Sequence, residues 1–530
     1  MKNMRKITKS ITFIPFAPIL FSLSFVLILF AHNIGELTLP RILVPLLITF
    51  LFSLIVYFFT IIILRNINKS IIYSSIFLII FFSYRDVVFF TGSLHILPWT
   101  IDIGSNHVMF LVLVILLLYI YLLIKRAKRS FILLSRYLTI IAVISTLIPL
   151  SGIMRYEIIR KLQKRPDNPL VLSKIDSISL DKNILPDIYY IVPDSYTSTG
   201  NLKKYFNYDN SQFVSFLEDM GFYVATQSSS NYPKTFLSLS SSLNMEYLDY
   251  LSVNINSNDQ TLTDRLIENN NVVRLLKSLG YHYYQMGSWW GSTHFSRLAD
   301  ENYIIEKKVL GGIGEFNYML INSSMLSPFI SRFIPKAIVG ESDDDKRARI
   351  LYQFEELPNV ATLPGPKFVF THIIAPHGPY VFGKNCEYVS YELIREKSEE
   401  ENYANQVSCI NHKLEEAIRS IIKNGAKPPV ILLQADEGPN LLNGKLIPPD
   451  NWKEANKDLM REKFPILSAY YLPGVSKSIL YPSITPVNSF RAIFNLYFSA
   501  NLSLLPDRNY VFLDTNHLYE FEDVTEDLED

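Results

Sequence analysis

The chain has 530 residues, is 49% hydrophobic, and carries 50 basic and 50 acidic side chains, for a formal net charge of zero. That length exceeds what one hydrophobic core usually supports, so at least two structural units are required. The neutral balance, with no basic stripe, gives no footing for nucleic acid as a partner. Leu, Ile, Phe and Val dominate up to about residue 150, whereas nearly all Asp and Glu lie beyond it, so one part is lipid-soluble and the other globular.

Five apolar runs can be drawn, at about 11 to 31, 42 to 64, 70 to 91, 107 to 124 and 131 to 150. Each is close to the roughly 20 residues that a bilayer requires. Arg85 and Asp86 interrupt the third, and Arg136 in the fifth must snorkel or pair. No small-x-small cleavage site follows the first run, so it is read as a retained span.

Basic residues near span ends favour the cytoplasm. Lys2, Arg5, Lys6 and Lys9 precede the first run, Arg65 and Lys69 follow the second, and Lys125, Arg126, Lys128 and Arg129 separate the fourth from the fifth. The N-terminus is therefore expected inside, and everything after residue 150 outside. The cluster Arg155, Arg160, Lys161, Lys164 and Arg165 opposes that rule; the first spans usually set orientation, and such a cluster can lie on anionic head groups.

Residues 1–150 are thus expected to form a transmembrane anchor, 151–185 a juxtamembrane helix and linker broken at 165–169, and 186–530 an extracytoplasmic domain. Short apolar and aromatic segments at 187–193, 281–286, 367–374, 429–434 and 466–472 read as buried strands. Helical patterns at 210–219, 262–279, 401–424 and 487–499 fall between them or follow them. This alternation predicts a three-layer α/β domain with a mainly parallel sheet. Cys386 and Cys409, the only cysteines, both fall in this domain, where a disulfide or two free thiols are equally compatible with the sequence.

Ligand sites in such sheets form beyond the carboxyl ends of strands. Asp194 follows the first strand, His377 follows the third in THIIAPHGPY, and Asp436-Glu437-Gly438 follow the fourth. Singly, each could be a loop residue or a cap; together Asp194, Asp436 and Glu437 could hold one divalent ion, and His377 could donate to a phosphate oxygen or protonate a leaving group. His372 lies inside its strand and reads as a core histidine. A helix is expected to begin at about Thr235, where a hydroxyl and free N–H groups would meet an incoming phosphate. Thr235 is the candidate nucleophile, with Ser238 and Ser240 as competitors and a plain helix cap as the bland reading. Asn231 and Lys234 are candidate phosphate contacts. Trp289 and Trp290 could wall the substrate cleft or form a buried aromatic pair, and His294 reads either as a substrate contact or as a surface residue.

These residues resemble the alkaline phosphatase superfamily and, within it, the membrane-anchored lipoteichoic acid synthase and phosphoethanolamine transferase branch, over roughly residues 186 to 475. The resemblance implies a metal-binding acid at Asp194, a nucleophile and metal ligand at Thr235, substrate contacts from His377, and metal ligands at Asp436 and Glu437. Glu437 departs from the family's Asp-His-Gly, adding negative charge and a different reach. No His occurs between His412 and His517, so one divalent metal is expected, Mn²⁺ first, with Mg²⁺ and Zn²⁺ as alternatives. Sulfatases share the fold but need a Cys/Ser-x-Pro-x-Arg motif; position 235 is Thr and position 239 is Leu, so sulfate ester hydrolysis is disfavoured.

The implied function is transfer of a phospho-head group from a membrane lipid donor to an envelope glycan or lipid acceptor through a phospho-threonine, in a bacterial-type cytoplasmic membrane. A hydrolase or polysaccharide-modifying transferase with the same site is one alternative. A non-catalytic envelope-assembly protein with a degenerate site is the other.

Overall fold

The structure, a computed structural model, describes residues 16–32, 34, 39–92, 106–162, 185–254, 257–305, 315–329, 343–439, 452 and 455–528. The N-terminal basic residues, the break at 165–169, most of the expected linker and most of the loop 306–342 lie outside the described residues. The chain divides into two compact units. The first joins Met1–Arg165 to Lys307–Ser342, and the second joins Pro166–Glu306 to Asp343–Asp530.

In lipid the backbone must satisfy its own polar groups, so the apolar runs fold as helices. Those at Leu43–Leu64, Val108–Arg126 and Ile132–Ile158 are long and apolar enough to cross a membrane. Phe16–His32 and Ile67–Phe82 are apolar but shorter. The third expected span stops at Phe82, and a separate helix, Tyr84–Gly92, begins after Ser83. The exposed, adjacent charges of Arg85 and Asp86 account for the break, since a lipid-facing helix cannot carry them. Helix Leu43–Leu64 turns Leu47, Ile55 and Phe58 outward and buries Thr49, Ser53 and Thr60. Small side chains on the inner face let neighbouring backbones approach, and their hydroxyls return to their own helix, as Thr49 Oγ1 does to Pro45 O at 2.9 Å. Lys69 Nζ donates to Ala127 O at 2.7 Å and to Lys125 O at 3.2 Å. The two basic loops predicted to share a side are thereby joined.

One stretch expected in the outer domain packs with these helices instead. Phe316 and Leu320 of helix Glu315–Ser323 share a core with Phe30, Ile42, Phe82 and Ile153. Met325 N–H donates to Phe81 O at 2.8 Å, and Phe329 meets Phe110 with ring centroids 4.9 Å apart. The helix ends it touches are those the charge rule places outside.

The second unit is built on a seven-stranded sheet of strands β1 (Ile188–Pro193), β2 (Tyr223–Val224), β3 (His282–Met286), β4 (Glu301–Tyr303), β5 (Lys367–Ile373), β6 (Val430–Gln434) and β7 (Ser468–Tyr471). The order is β2-β7-β6-β1-β5-β3-β4. Strands β6, β1, β5, β3 and β4 run parallel, and at one edge β7 pairs antiparallel with both β6 and β2. Every residue of β1, β5 and β6 is buried, because helices cover both faces and leave two apolar cores. The pattern at 262–279 is two helices, Thr261–Glu268 and Asn271–Ser278, since the Asn270 side chain accepts from Val273 N–H at 2.8 Å and caps the second. A separate two-stranded sheet pairs β8 (Tyr510–Phe512) with β9 (Phe521–Asp523).

Cys386 and Cys409 form a disulfide across 23 positions, tying the segment after β5 to helix Glu399–Asn424. Closing a loop of that length removes denatured-state entropy equivalent to about 3 kcal/mol. Cys409→Ser should therefore lower the thermal midpoint of the detergent-solubilised chain under oxidising conditions, and reductant should lower the parent but not the variant.

Candidate metal and nucleophile site

Three parallel strands deliver the site. Central β1 has β5 on one side and β6 on the other, so Asp194, His372 and Asp436 meet at one sheet edge although they are far apart in sequence. Asp194 N–H donates to Ile373 O at 2.8 Å, and His377 N–H donates to Asp194 O at 3.1 Å. Ser195 takes a positive φ of 61°. This turn lets its hydroxyl donate to Asp194 Oδ1 at 2.9 Å and its N–H donate to Asp436 Oδ1 at 3.2 Å.

His372 Nε2 lies 3.5 Å from Asp194 Oδ2 and 3.9 Å from Asp436 Oδ2. One ligand atom from each residue falls within 4.8 Å of the other two. Nδ1 of His372 is 2.9 Å from Thr293 Oγ1, and Gln353 Nε2 donates to its carbonyl at 2.9 Å. The expected core histidine is therefore anchored on one nitrogen only, and the other faces two carboxylates.

Burial would raise the Asp194 carboxyl, but the charge of His377, with His372 and Ser195 beside it, holds it down at about 2. Asp436 moves the other way: burial, then the charges of Asp194 and Glu437, push it well above the ordinary carboxylate range, against the opposing effect of the Thr235 side chain. Two carboxylates this close favour a cation between them. His372 Nε2, Asp436 Oδ2 and Glu437 Oε2 are all buried without a hydrogen-bond partner, and buried polar atoms are rarely left so. Ligands bound to one ion at about 2.0–2.2 Å stand roughly 3–4 Å apart, and the donor set of carboxylate oxygens and an imidazole nitrogen suits such an ion. The cluster fits a divalent metal.

Thr235 opens helix Thr235–Asn244, and its side chain is close enough to the Asp436 carboxylate to favour the charged form of that acid. The competing serines are committed elsewhere. Ser238 Oγ donates to Asp436 O at 2.7 Å, and Ser240 Oγ donates to Phe236 O at 2.6 Å. His377 is exposed on its loop, which Gln406 fixes by donating to Pro376 O and His377 O, each at 3.1 Å. Its Nδ1 donates to Gly378 O at 2.5 Å; a carbonyl can only accept, so Nε2 is the nitrogen available for proton exchange.

Glu437 stands outside the cluster of three. Its Oε1 pairs with the buried Lys463 ammonium at 2.8 Å, which also donates to Gly438 O at 2.7 Å. Gly438 is needed for this approach, because a Cβ there would lie 2.6 Å from Lys463 O. Asn231 is displaced from its expected role: it is fully buried, accepts from Val487 N–H at 2.8 Å and donates to Arg508 O at 2.8 Å, so its amide is spent on the backbone. Trp290 is half-buried and sets its ring at 79° to the His372 imidazole, with centroids 5.9 Å apart. It supports the histidine as much as it could line a cleft. His372 is the residue the sequence reading passed over; its signal was register, since it pairs with Val192, two positions before Asp194.

Comparison with solved structures returns similar folds at low identity. The C-terminal periplasmic domain of EcEptC from Escherichia coli is 13% identical, over 65% of this chain and 93% of that one, with a TM-score of 0.42. The integral membrane lipooligosaccharide phosphoethanolamine transferase A (EptA) from Neisseria meningitidis is 15% identical, over 91% and 95%, with a TM-score of 0.40. A comparison with curated proteins finds no match. The Sulfatase family profile matches residues 201–471, just over half of the chain; the match includes Thr235, His372 and Asp436 and begins after Asp194. The chain belongs to the Sulfatase family, and with it to the alkaline phosphatase superfamily.

Proposed function

We propose that this protein is a membrane-anchored, metal-dependent phosphotransferase that moves a phospho-head group from a lipid donor to an envelope acceptor by way of a phospho-threonine at Thr235. The observation that carries this reading is Thr235 on the first residue of a helix, beside Asp436 of the Asp194–His372–Asp436 cluster. The apolar helices make the protein a membrane protein. The charge rule supports a multi-pass anchor in a bacterial-type cytoplasmic membrane, with the sheet domain outside.

Asp194, His372 and Asp436 would hold one divalent ion, Mn²⁺ by the resemblance. Such an ion supplies positive charge that lowers the proton affinity of a nearby hydroxyl and offsets charge on phosphoryl oxygens. Ser238 Oγ, donating to Asp436 O at 2.7 Å, holds the start of the helix and with it Thr235 beside the acid. The Thr235 hydroxyl gives up its proton to bulk water, and its oxygen attacks phosphorus, forming one P–O bond while the P–O bond to the diacylglycerol breaks. His377, as the imidazolium, gives its Nε2 proton to the departing oxygen. N–H groups at the start of helix Thr235–Asn244 face the added negative charge. An acceptor hydroxyl, losing its proton to Nε2 of His377, then forms a P–O bond and takes the head group as the P–O bond to Thr235 breaks, and Thr235 regains a proton from water. Water in place of that acceptor gives the hydrolase reading, and product analysis with and without envelope glycans separates the two.

In vesicles containing phospholipid labelled in its head group, Thr235→Ala should lower head-group release by at least about a thousandfold, and Thr235→Ser should recover part of it. Undiminished release by the alanine variant would remove Thr235 as nucleophile. Metal retention offers an activity-independent check on the ligands. After dialysis, His372→Ala should lower metal content per chain by about tenfold or more, whereas Glu437→Gln should change it far less. The reverse ranking would put Glu437, not His372, on the ion.

A further inference from the structure

Between the carboxyl ends of β3 and β5 lies a narrow cleft that the reaction above does not use. Trp289 forms one wall, Gly378 and Pro379 of the His377 loop form another, and helix Asp343–Ala361 closes it with Lys346 and Arg349. Lys346, Arg349 and Gln353 are spaced three and four apart, so they share one helix face. Gln353 is the residue that holds the His372 carbonyl, which sets this face against the strand bearing the cluster histidine.

The two cations are held differently. Arg349 is oriented, with a guanidinium nitrogen 3.4 Å from Ser288 O and 3.5 Å from Nδ1 of His294. Lys346 stands over the Trp289 ring, its Nζ 5.9 Å from the centroid, and among the described residues its ammonium meets no carboxylate. Both side chains are half-buried. An oriented guanidinium and an ammonium beside an indole face suit a phosphate oxygen set carried on a sugar or glycerol.

We propose that this cleft is a second anion site, which holds a non-reacting phosphate of the substrate while the reacting phosphorus lies at Thr235. The inference rests on the phosphotransferase reading for its place in the reaction, and its chemistry is that of a phosphate ester, whether on a lipid head group or on a water-soluble acceptor.

The test uses the full chain in detergent, treated with chelator so that the acidic cluster repels anions, and titrated with glycerol 3-phosphate by calorimetry. Saturable binding should survive chelation. Lys346→Gln and Arg349→Gln should each weaken it about tenfold, the scale of one charge-assisted hydrogen bond, and Lys346→Arg should restore most of it. Binding that vanishes with the metal, or that Lys346→Gln leaves unchanged, overturns the site. Displacement of the probe by phosphatidic acid vesicles, but not by phosphatidylcholine vesicles, assigns the phosphate to a lipid; failure of both to displace it assigns it to a soluble or glycan ester. Turnover is not read in this assay. A chain that binds the probe yet releases no head group would therefore separate failure of the catalytic reading from failure of the second site.

Discussion

Two carboxylates, Asp194 and Asp436, are buried side by side at the end of a parallel sheet with an imidazole between them. Burying like charges together costs several kcal/mol unless a cation or a proton intervenes. The sheet imposes this because β1 lies between β5 and β6, so their final residues have nowhere else to point. The surrounding hydrogen bonds reinforce it. Ser195 bonds to both acids, and Tyr403 donates to Ser195 O at 2.8 Å from helix Glu399–Asn424. A site so constrained is pre-organised, since its ligand atoms need little movement to close on an ion.

The same edge explains why the nucleophile candidate and the loop histidine sit where they do. Ser238, one turn beyond Thr235, donates to the Asp436 carbonyl, so the start of helix Thr235–Asn244 is tied to the strand end that carries the acid. The His377 loop is pinned to Asp194 O through its own backbone N–H and to Gln406 through two carbonyls. Backbone contacts hold position, which leaves the side chains free for chemistry.

Much of this was legible in the sequence because buried parallel strands are continuous apolar runs, and a polar residue just past such a run lies at a sheet edge. That pattern puts Asp194 and Asp436 at the sheet edge, and it marks all five long strands. β2 and β4 were missed because two or three residues carry no period. His372 was missed because one histidine within an apolar strand is indistinguishable by composition from a core residue; only the β1–β5 register places it opposite Val192. Asn231 misled because adjacency to Thr235 in sequence says nothing of side-chain direction, and its amide turns toward Val487 and Arg508. The third apolar run was overextended because hydrophobicity persists past Ser83, whereas the helix does not. The stretch around Phe316 and Leu320 gave no sign of its partners, since they come from four different helices of the first unit.

Glu437 shows how a substitution can be absorbed. A carboxylate next to Asp436, where the family carries an imidazole, would bring a third negative charge to a cluster that already holds two. Lys463, itself buried and fixed by Gly438 O, pairs with Oε1 of that carboxylate at 2.8 Å and offsets part of its charge. Asp194 and Asp436 would then balance a dication without Glu437, with His372 Nε2 as the third donor. The carboxylate has changed its partner while the charge offered to an ion stays at two.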